Sequence, residues 1–343
     1  MLNLSRAQYL DLPRDMTPRL MVVIDTEEEF DWSKPLAREN TAVSAIRAQD
    51  PAQDIFARHG MVPTYVIDYP IAASDAGQAV LGAYRRAGAC MIGAHLHPWV
   101  SPPHEEAVNP YNSYAGNLPE ALERTKLTKL TETIEANFGI RPQVFRAGRW
   151  GLGPNTWGIL SDLGYLVDTS VVPHTDFGAD GGPSYYGFDN RPFWTGAPGG
   201  LLEIPQSAGF AGVLAAQGPG LFPRLISPVG MRLRGPGFAA RMRLLERIRL
   251  TPEGMDLAAL RRLTEALIGQ GVRLFTLTYH SPTLQPGGTP YVRDQADLRG
   301  FLATLHGYLA YFMGALGGLP ETPLQIHRDC ARDASSAADA AAI

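Results

Sequence analysis

The sequence predicts an α/β protein whose strands, about seven and mostly parallel, close or nearly close into a barrel. Three observations lead there. Short apolar runs recur along the chain, and most are followed by a helix-like stretch, the pattern of strands joined by crossover helices. Most of the runs are continuously apolar, as expected of a sheet covered on both faces. Chemistry-bearing polar residues cluster at the C-terminal ends of at least five runs, where barrel active sites lie. A doubly wound open sheet fits the periodicity almost as well, and the placement of the polar residues is what favours a barrel.

The strand candidates, in chain order, are residues 20–26 (LMVVIDT), 62–68 (VPTYVID), 90–95 (CMIGAH), 143–146 (QVFR), 165–170 (YLVDTS), 201–204 (LLEI) and 272–280 (VRLFTLTYH). The last is long and alternates. Helix candidates lie between them at 41–59, 73–88, 118–137, 154–163, 251–269 and 293–313. The fourth ends at Gly164, a plausible C-cap, and the fifth begins with Pro252 near its first position. Residues 206–250 interrupt the repeat and carry seven arginines opposed only by Glu246. They read as a solvated insertion with a short helix, or as a basic lip for an anionic substrate. The chain is thus one barrel-like domain over 1–330 with an insertion at about 206–250. A tail at 331–343, nearly all Ala, Ser and Asp from Asp333 onward, is expected to fray.

Bulk properties narrow the function classes. Of 343 residues, 45% are hydrophobic, enough for a large core, and the abundant Gly and Pro suit long shaped loops. The formal net charge of −4 gives no reason to expect nucleic acid or an anionic membrane as partner. Cys90 and Cys330 form neither a metal motif nor a disulfide framework. There is no secretory leader pattern at the start and no apolar run long enough to span a membrane, so a cytoplasmic location is the default. No GxGxxG follows the first strand and no phosphate-binding GxxxxGK[ST] occurs, so no nucleotide cofactor is expected. A homo-oligomer is compatible with the sequence, which does not decide the point.

Asp25 and Glu27 end the first strand in IDTEEEFDW. Residues two apart on a strand face the same way, so both carboxylates can enter one site. Such crowding asks for a metal or another cation. His95 and His97 end the third strand in GAHLHPW, again two apart. Two imidazoles and a carboxylate suit zinc or a similar divalent ion. Arg146 and Arg149 follow the fourth strand in FRAGRWG, and an arginine there can hold a catalytic aspartate by a charged hydrogen bond. Asp168, in VDTSVVPH, is a candidate to steady a ligand or a histidine. His280, ending TLTYH, can protonate a leaving amine or alcohol. Trp99, Arg149, Trp150 and Tyr279 are the candidate substrate contacts. Ser281 raises serine hydrolysis, but no GxSxG elbow supports it.

Together these motifs resemble the polysaccharide deacetylase, or NodB-homology, superfamily (carbohydrate esterase family four), over roughly residues 20–315 and nearest to its lipopolysaccharide-deacetylase branch. The resemblance implies a distorted (β/α) barrel, usually with seven parallel strands, and a hydrolase acting on amide bonds other than peptide bonds. It implies Asp25 as base, Arg146 and Asp168 as the residues of the third and fourth motifs, and His280 as the catalytic histidine. The chain departs from the family pattern at two places. Thr26 stands where a second, metal-binding aspartate is usual, with Glu27 as substitute. The second member of the usual histidine pair falls on Trp99, with His97 as substitute. The implied cofactor is a divalent metal at Glu27, His95 and His97, zinc first, with cobalt, nickel or manganese as alternatives. The implied substrate is an N-acylated sugar in a glycan or glycolipid precursor. A linear or cyclic non-sugar amide and a catalytically inactive glycan-binding protein are the alternatives.

Overall fold

The computed structural model describes residues 7–341, with side chains through 336. The first six residues, which form part of the segment read above for a leader, and residues 342–343 of the tail lie outside that range. A short β1 (Gln8–Tyr9) leads into the central strand β2 (Arg19–Thr26). There follow α1 (Asp50–Arg58), β3 (Thr64–Ile67), α2 (Tyr69–Ala73), α3 (Asp75–Arg86), β4 (Met91–Leu96), α4 (Glu120–Phe138), β5 (Val144–Ala147), α5 (Thr156–Asp162) and β6 (Val167–Asp168). Next come β7 (Phe193–Trp194), β8 (Leu202–Glu203), β9 (Ala208–Ala211), three short helices α6 (Gly218–Leu225), α7 (Pro228–Arg232) and α8 (Gly235–Arg241), and β10 (Glu246–Arg249). The chain ends with α9 (Leu257–Gly269), β11 (Leu274–His280), α10 (Gln295–Ala310), β12 (Leu319–Pro320) and α11 (Pro323–Ala341).

Seven strands run parallel in the order β8-β6-β5-β4-β3-β2-β11, so the expected parallel core is present. Antiparallel β7 and β1 extend one edge, and β12 pairs with the start of β2 just below β3. The sheet is strongly curled. Arg146 on β5 donates to the Val23 carbonyl and Asp25 on β2 and to Thr278 on β11. In a flat sheet β5 and β2 would stand about 14 Å apart, three strand spacings, beyond the reach of one side chain. The ladder does not close between β8 and β11. Instead Thr276 N–H donates to Ser207 Oγ (2.9 Å) and Thr278 N–H to the Leu250 carbonyl (3.1 Å). The result is a half-open, distorted (β/α) barrel.

Strand parity divides the core in two. Met21, Val23, Val66, Val144, Val167 and Leu202 fill the barrel interior, while Leu20, Val22, Ile24, Tyr65, Phe145 and Leu277 face the helices. Because both faces are buried, the strands read as unbroken apolar runs. Helix starts follow side-chain caps: Asp68 accepts from Ile71 N–H, Ser74 from Gly77, Asp256 from Ala259, and Asp294 from Ala296 and Asp297.

Several boundaries differ from expectation for this reason. The helix expected at 41–59 divides into a short 3-10 turn at Ser44–Ala48 and α1. Pro252 does not begin a helix: Gly254 turns at φ +70°, Asp256 caps, and α9 starts at Leu257. The insertion holds a β9–β10 hairpin with three short helices between, on a small core of Phe210, Ala239 and Leu245. From Asp333, where fraying was expected, α11 continues to Ala341. No helix of the described residues is long and apolar enough to cross a membrane.

Candidate active site and metal centre

Strand parity sets the site. Asp25 continues the inward series Met21 and Val23, and Glu27 lies two residues further on. His95 and His97 do the same on β4, which pairs with β3 in register. The four side chains meet at the barrel mouth, each 4% exposed or less. They line one wall of a cleft of about 620 Å³, with Trp99, Arg149, Trp150 and His280 around it.

The acidic run after β2 splits by environment. Asp25 and Glu27 face the cleft. Glu28 turns away from it and accepts from His97 Nδ1 (2.7 Å) and Trp99 Nε1 (2.7 Å). Glu29 accepts from Ala45 N–H (2.6 Å) and Ser44 Oγ (3.0 Å), capping the turn before α1. Asp31 stays in solvent with Ser33 and Lys34. Asp68, already the cap of α2, accepts from Glu28 N–H (2.7 Å) and so fixes the backbone from which Glu28 projects.

Three possible metal-ligand atoms converge: His95 Nε2, His97 Nε2 and Glu27 Oε2. His95 Nδ1 lies 3.0 Å from the Arg146 carbonyl, which can only accept, so the proton is on Nδ1 and the Nε2 lone pair is free. His97 Nδ1 is likewise held by Glu28. Both Nε2 atoms face Glu27 Oε2, at 3.6 Å and 3.5 Å. Burial lowers His95 and pushes His97 down to about 4, so both rings are neutral near pH 7. Burial pushes Glu27 up to about 7 against the pull of His280 and His95, and its Oε1 has no donor. A buried carboxylate facing two lone pairs is costly unless a cation joins them. Donors around a tetrahedral zinc at about 2.0–2.1 Å stand roughly 3.3–3.4 Å apart, close to the spacing here. Glu27, His95 and His97 therefore fit a divalent metal. The neighbouring trio Glu28, Asp68 and His97 is an orienting relay rather than a second site, because Trp99, His97 Nδ1, Ile71 and the Glu28 amide already occupy its oxygens.

Next to this cluster stand a carboxylate and an imidazole. Burial alone would raise Asp25, but Arg146, with His95 and His280, outweighs it and holds the carboxyl below its usual range. The Arg146 guanidinium is fully enclosed, 2.5 Å from Asp25 Oδ1, and is braced by Thr169 and Thr278. His280 Nε2 lies 3.9 Å from Asp25 Oδ2. Its Nδ1 donates to Glu253 Oε2 (2.9 Å), and Glu253 Oε1 accepts from His280 N–H and Thr283. Burial would lower this histidine, but Glu253, then Glu27 and Asp25, push it up to about 10.

The cleft rim is aromatic. His97 stacks on Trp99 with ring centroids 4.2 Å apart. Trp32 and Trp150 present their rings edge-on to His280, and Trp150 stacks on Phe177. Arg149 and Trp150 both adopt positive φ (51° and 56°). Arg149 lies over the Tyr114 ring and pairs with Asp180 at 3.2 Å. Gly148 allows this loop to approach: an added Cβ would fall 2.3 Å from His97 Cδ2 and 2.4 Å from the Leu96 carbonyl.

Two expected site residues lie elsewhere. Asp168 pairs in register with Phe145, so its side chain takes the helix-facing side, where Trp157 Nε1 and Ser170 bind it. Tyr279, between inward Thr278 and His280, points outward and packs on Phe301. Alternation along the strand overrules proximity in sequence at both positions. Ser281 lacks the base that a serine nucleophile needs: among the described residues no imidazole hydrogen-bonds its Oγ, which accepts from Glu27 N–H (3.3 Å). Sequence reasoning missed three contributors. Glu253 was hidden inside an expected helix, although Asp256 followed by a periodic run would have marked the true start. Glu28 and Asp68 act across 69 and 40 residues and leave no local signal.

No protein-family description and no curated protein matches the chain. Solved structures do. The chain is similar to a "putative polysaccharide deacetylase from Mycobacterium smegmatis" at 17% identity, covering 96% of each chain with a TM-score of 0.55. It is also similar to Puue allantoinase at 17% identity, covering 90% of this chain and 89% of that one with a TM-score of 0.51. At such identity the likeness establishes a shared fold: a curled, mostly parallel barrel that a protein of each kind adopts.

Proposed function

We propose that the chain is a metal-dependent hydrolase of carbon–nitrogen acyl bonds, of the polysaccharide-deacetylase superfamily, releasing an acetyl or similar acyl group from an N-acylated sugar in a glycan or glycolipid precursor. The observation that carries this reading is the pairing of a depressed carboxylate, Asp25, with a raised imidazole, His280, 3.9 Å apart beside the Glu27–His95–His97 cluster. The fold also serves an allantoinase, so fold alone does not select a sugar. The aromatic rim of Trp32 and Trp150 favours one, since flat apolar walls with polar edges suit a pyranose face.

A divalent metal at Glu27, His95 and His97 would supply positive charge to polarise the acyl carbonyl. Asp25, ionised and fixed by Arg146, accepts the proton of the attacking water as its oxygen bonds to the carbonyl carbon. His280 delivers its Nε2 proton to the nitrogen as the carbon–nitrogen bond breaks, leaving a carboxylic acid and an amine. Glu253 holds His280 by Nδ1 so that Nε2 faces the reacting centre.

The test measures metal per chain and acetate release from N-acetylglucosamine oligomers, for the wild type and for His95→Ala/His97→Ala. One metal per chain and metal-dependent release, both lost in the variant, is the expected result. No bound metal after dialysis against zinc, cobalt, nickel or manganese would overturn the hydrolase reading. Saturable sugar binding without product would then make this a glycan-binding protein.

A further inference from the structure

We propose that the lobe between β9 and β10 docks this protein on an anionic lipid surface. The proposal is independent of the hydrolase reading and rests on other residues. Of the thirteen large apolar side chains that stand exposed among the described residues, eight lie between Val213 and Leu244. Val213 is 81% exposed, Leu233 75%, Val229 69% and Phe238 63%. They are surplus to the lobe's own small core, which Phe210, Ala239 and Leu245 fill with Leu221, Phe222 and Leu225. Left largely in water, they add little to folding, and a concentration of exposed apolar side chains in one lobe marks an interaction surface.

Charge selects the partner. The same segment carries Arg224, Arg232, Arg234, Arg241 and Arg243, all exposed, and there is no Asp or Glu between Glu203 and Glu246. None of the five forms an ion pair among the described residues. The chain as a whole is acidic, with net charge −4, so the basic residues are segregated rather than excess. Arginines interleaved with Leu, Met, Val and Phe suit a headgroup layer: apolar tips enter the acyl boundary while guanidinium groups stay with the phosphates. A second copy of the lobe would set five arginines against five and repel. Nucleic acid would use the charge but leave the apolar tips exposed. Proline and glycine break the segment into three short helices, each with a capped or Pro-started N-terminus. β10 leads from the lobe to Arg249, whose guanidinium lies 5.2 Å over the Trp150 ring at the cleft rim. Docking would bring the cleft close to the lipid layer.

The experiment is flotation of the full chain with vesicles of phosphatidylcholine alone or mixed with phosphatidylglycerol. Binding to the mixed vesicles and much weaker binding to phosphatidylcholine is expected. Leu233→Ser/Phe238→Ser should lose binding even at low salt. Arg232→Gln/Arg234→Gln should weaken binding to anionic vesicles roughly 25-fold, at about fivefold per arginine. Phe238→Trp supplies a second readout, a blue shift of its emission when anionic vesicles are added. All variants change exposed side chains and should keep the wild-type melting curve. No binding to anionic vesicles with no spectral shift, or binding that both double variants leave unchanged, would overturn the proposal. So would a concentration-dependent dimer abolished by Leu233→Ser/Phe238→Ser, which would assign the patch to a second copy. Binding to poly-glutamate without vesicle binding would assign it to an acidic protein.

Discussion

Replacing Arg146 by methionine keeps an unbranched apolar stem and removes the guanidinium with its charge and donors. In the folded protein Asp25 Oδ1 then loses a charged hydrogen bond of 2.5 Å, and Thr278 Oγ1 (2.6 Å) and the Thr169 carbonyl (3.1 Å) lose theirs. Asp25 is 2% exposed, so water cannot replace the lost partner. The Thr169 hydroxyl and the Val23 carbonyl lose the same donor, and breaking a buried ion pair by removing one partner costs about 3–5 kcal/mol. That is a large share of a stability on the order of 5–15 kcal/mol. Urea unfolding of the metal-free protein reads it as a lower midpoint at unchanged slope. Arg146→Met/Asp25→Asn removes the stranded carboxylate and should recover part of the loss, with a coupling of about 2–3 kcal/mol in the double-mutant cycle. Loss of the guanidinium also lifts Asp25 toward its buried, raised value, so the acid limb of the rate profile moves to higher pH. A stability change under about 1 kcal/mol, or no coupling between the two sites, would refute the assignment of Arg146 as the residue that keeps Asp25 ionised.

Glu253→Gln removes the first of the carboxylates that hold His280 up to about 10 against burial. In the proposed mechanism the imidazolium is the acid, so the basic limb of the rate profile, and the His280 titration seen by NMR, should move to lower pH. Glu28→Gln leaves His97 Nδ1 without a carboxylate partner and should weaken metal binding by roughly 10–100-fold in a chelator competition. Glu123→Gln tests a group outside the site. Burial pushes Glu123 up to about 7, so the stability it contributes is present below its unfolded value near 4.5 and lost as pH rises through about 7. Glutamine keeps an acceptor for Thr156 Oγ1, so the variant should lose less stability than the wild type between pH 5 and pH 8, read as urea midpoints.

The parallel strands were legible because burial on both faces wrote them as apolar runs. The convergence of Glu27, His95, His97 and Asp25 was legible because two residues apart on a strand means one face. The same rule, applied to neighbours, excludes Asp168 and Tyr279 from the interior; proximity to the strand end had drawn both into the candidate site. Where a side chain's partner is distant in sequence, as for Glu253 with His280 or Glu28 with His97, the chain carries no local pattern to read. The short edge strands β1, β7 and β12, two residues each, are too brief to leave a periodicity.

In the β9–β10 ladder Ala211 faces Glu246 directly. Residues 212–245 are, topologically, the loop of one hairpin, and a two-residue Asn-Gly turn would close the same ladder. The barrel seam depends on Ser207 and Leu250, which lie outside that loop. Length and composition of the lobe can therefore drift, or be exchanged wholesale, without re-registering any strand that carries Asp25, His95 or His280. A duplicated gene could readdress the protein to a different surface in one recombination event while inheriting the chemistry intact.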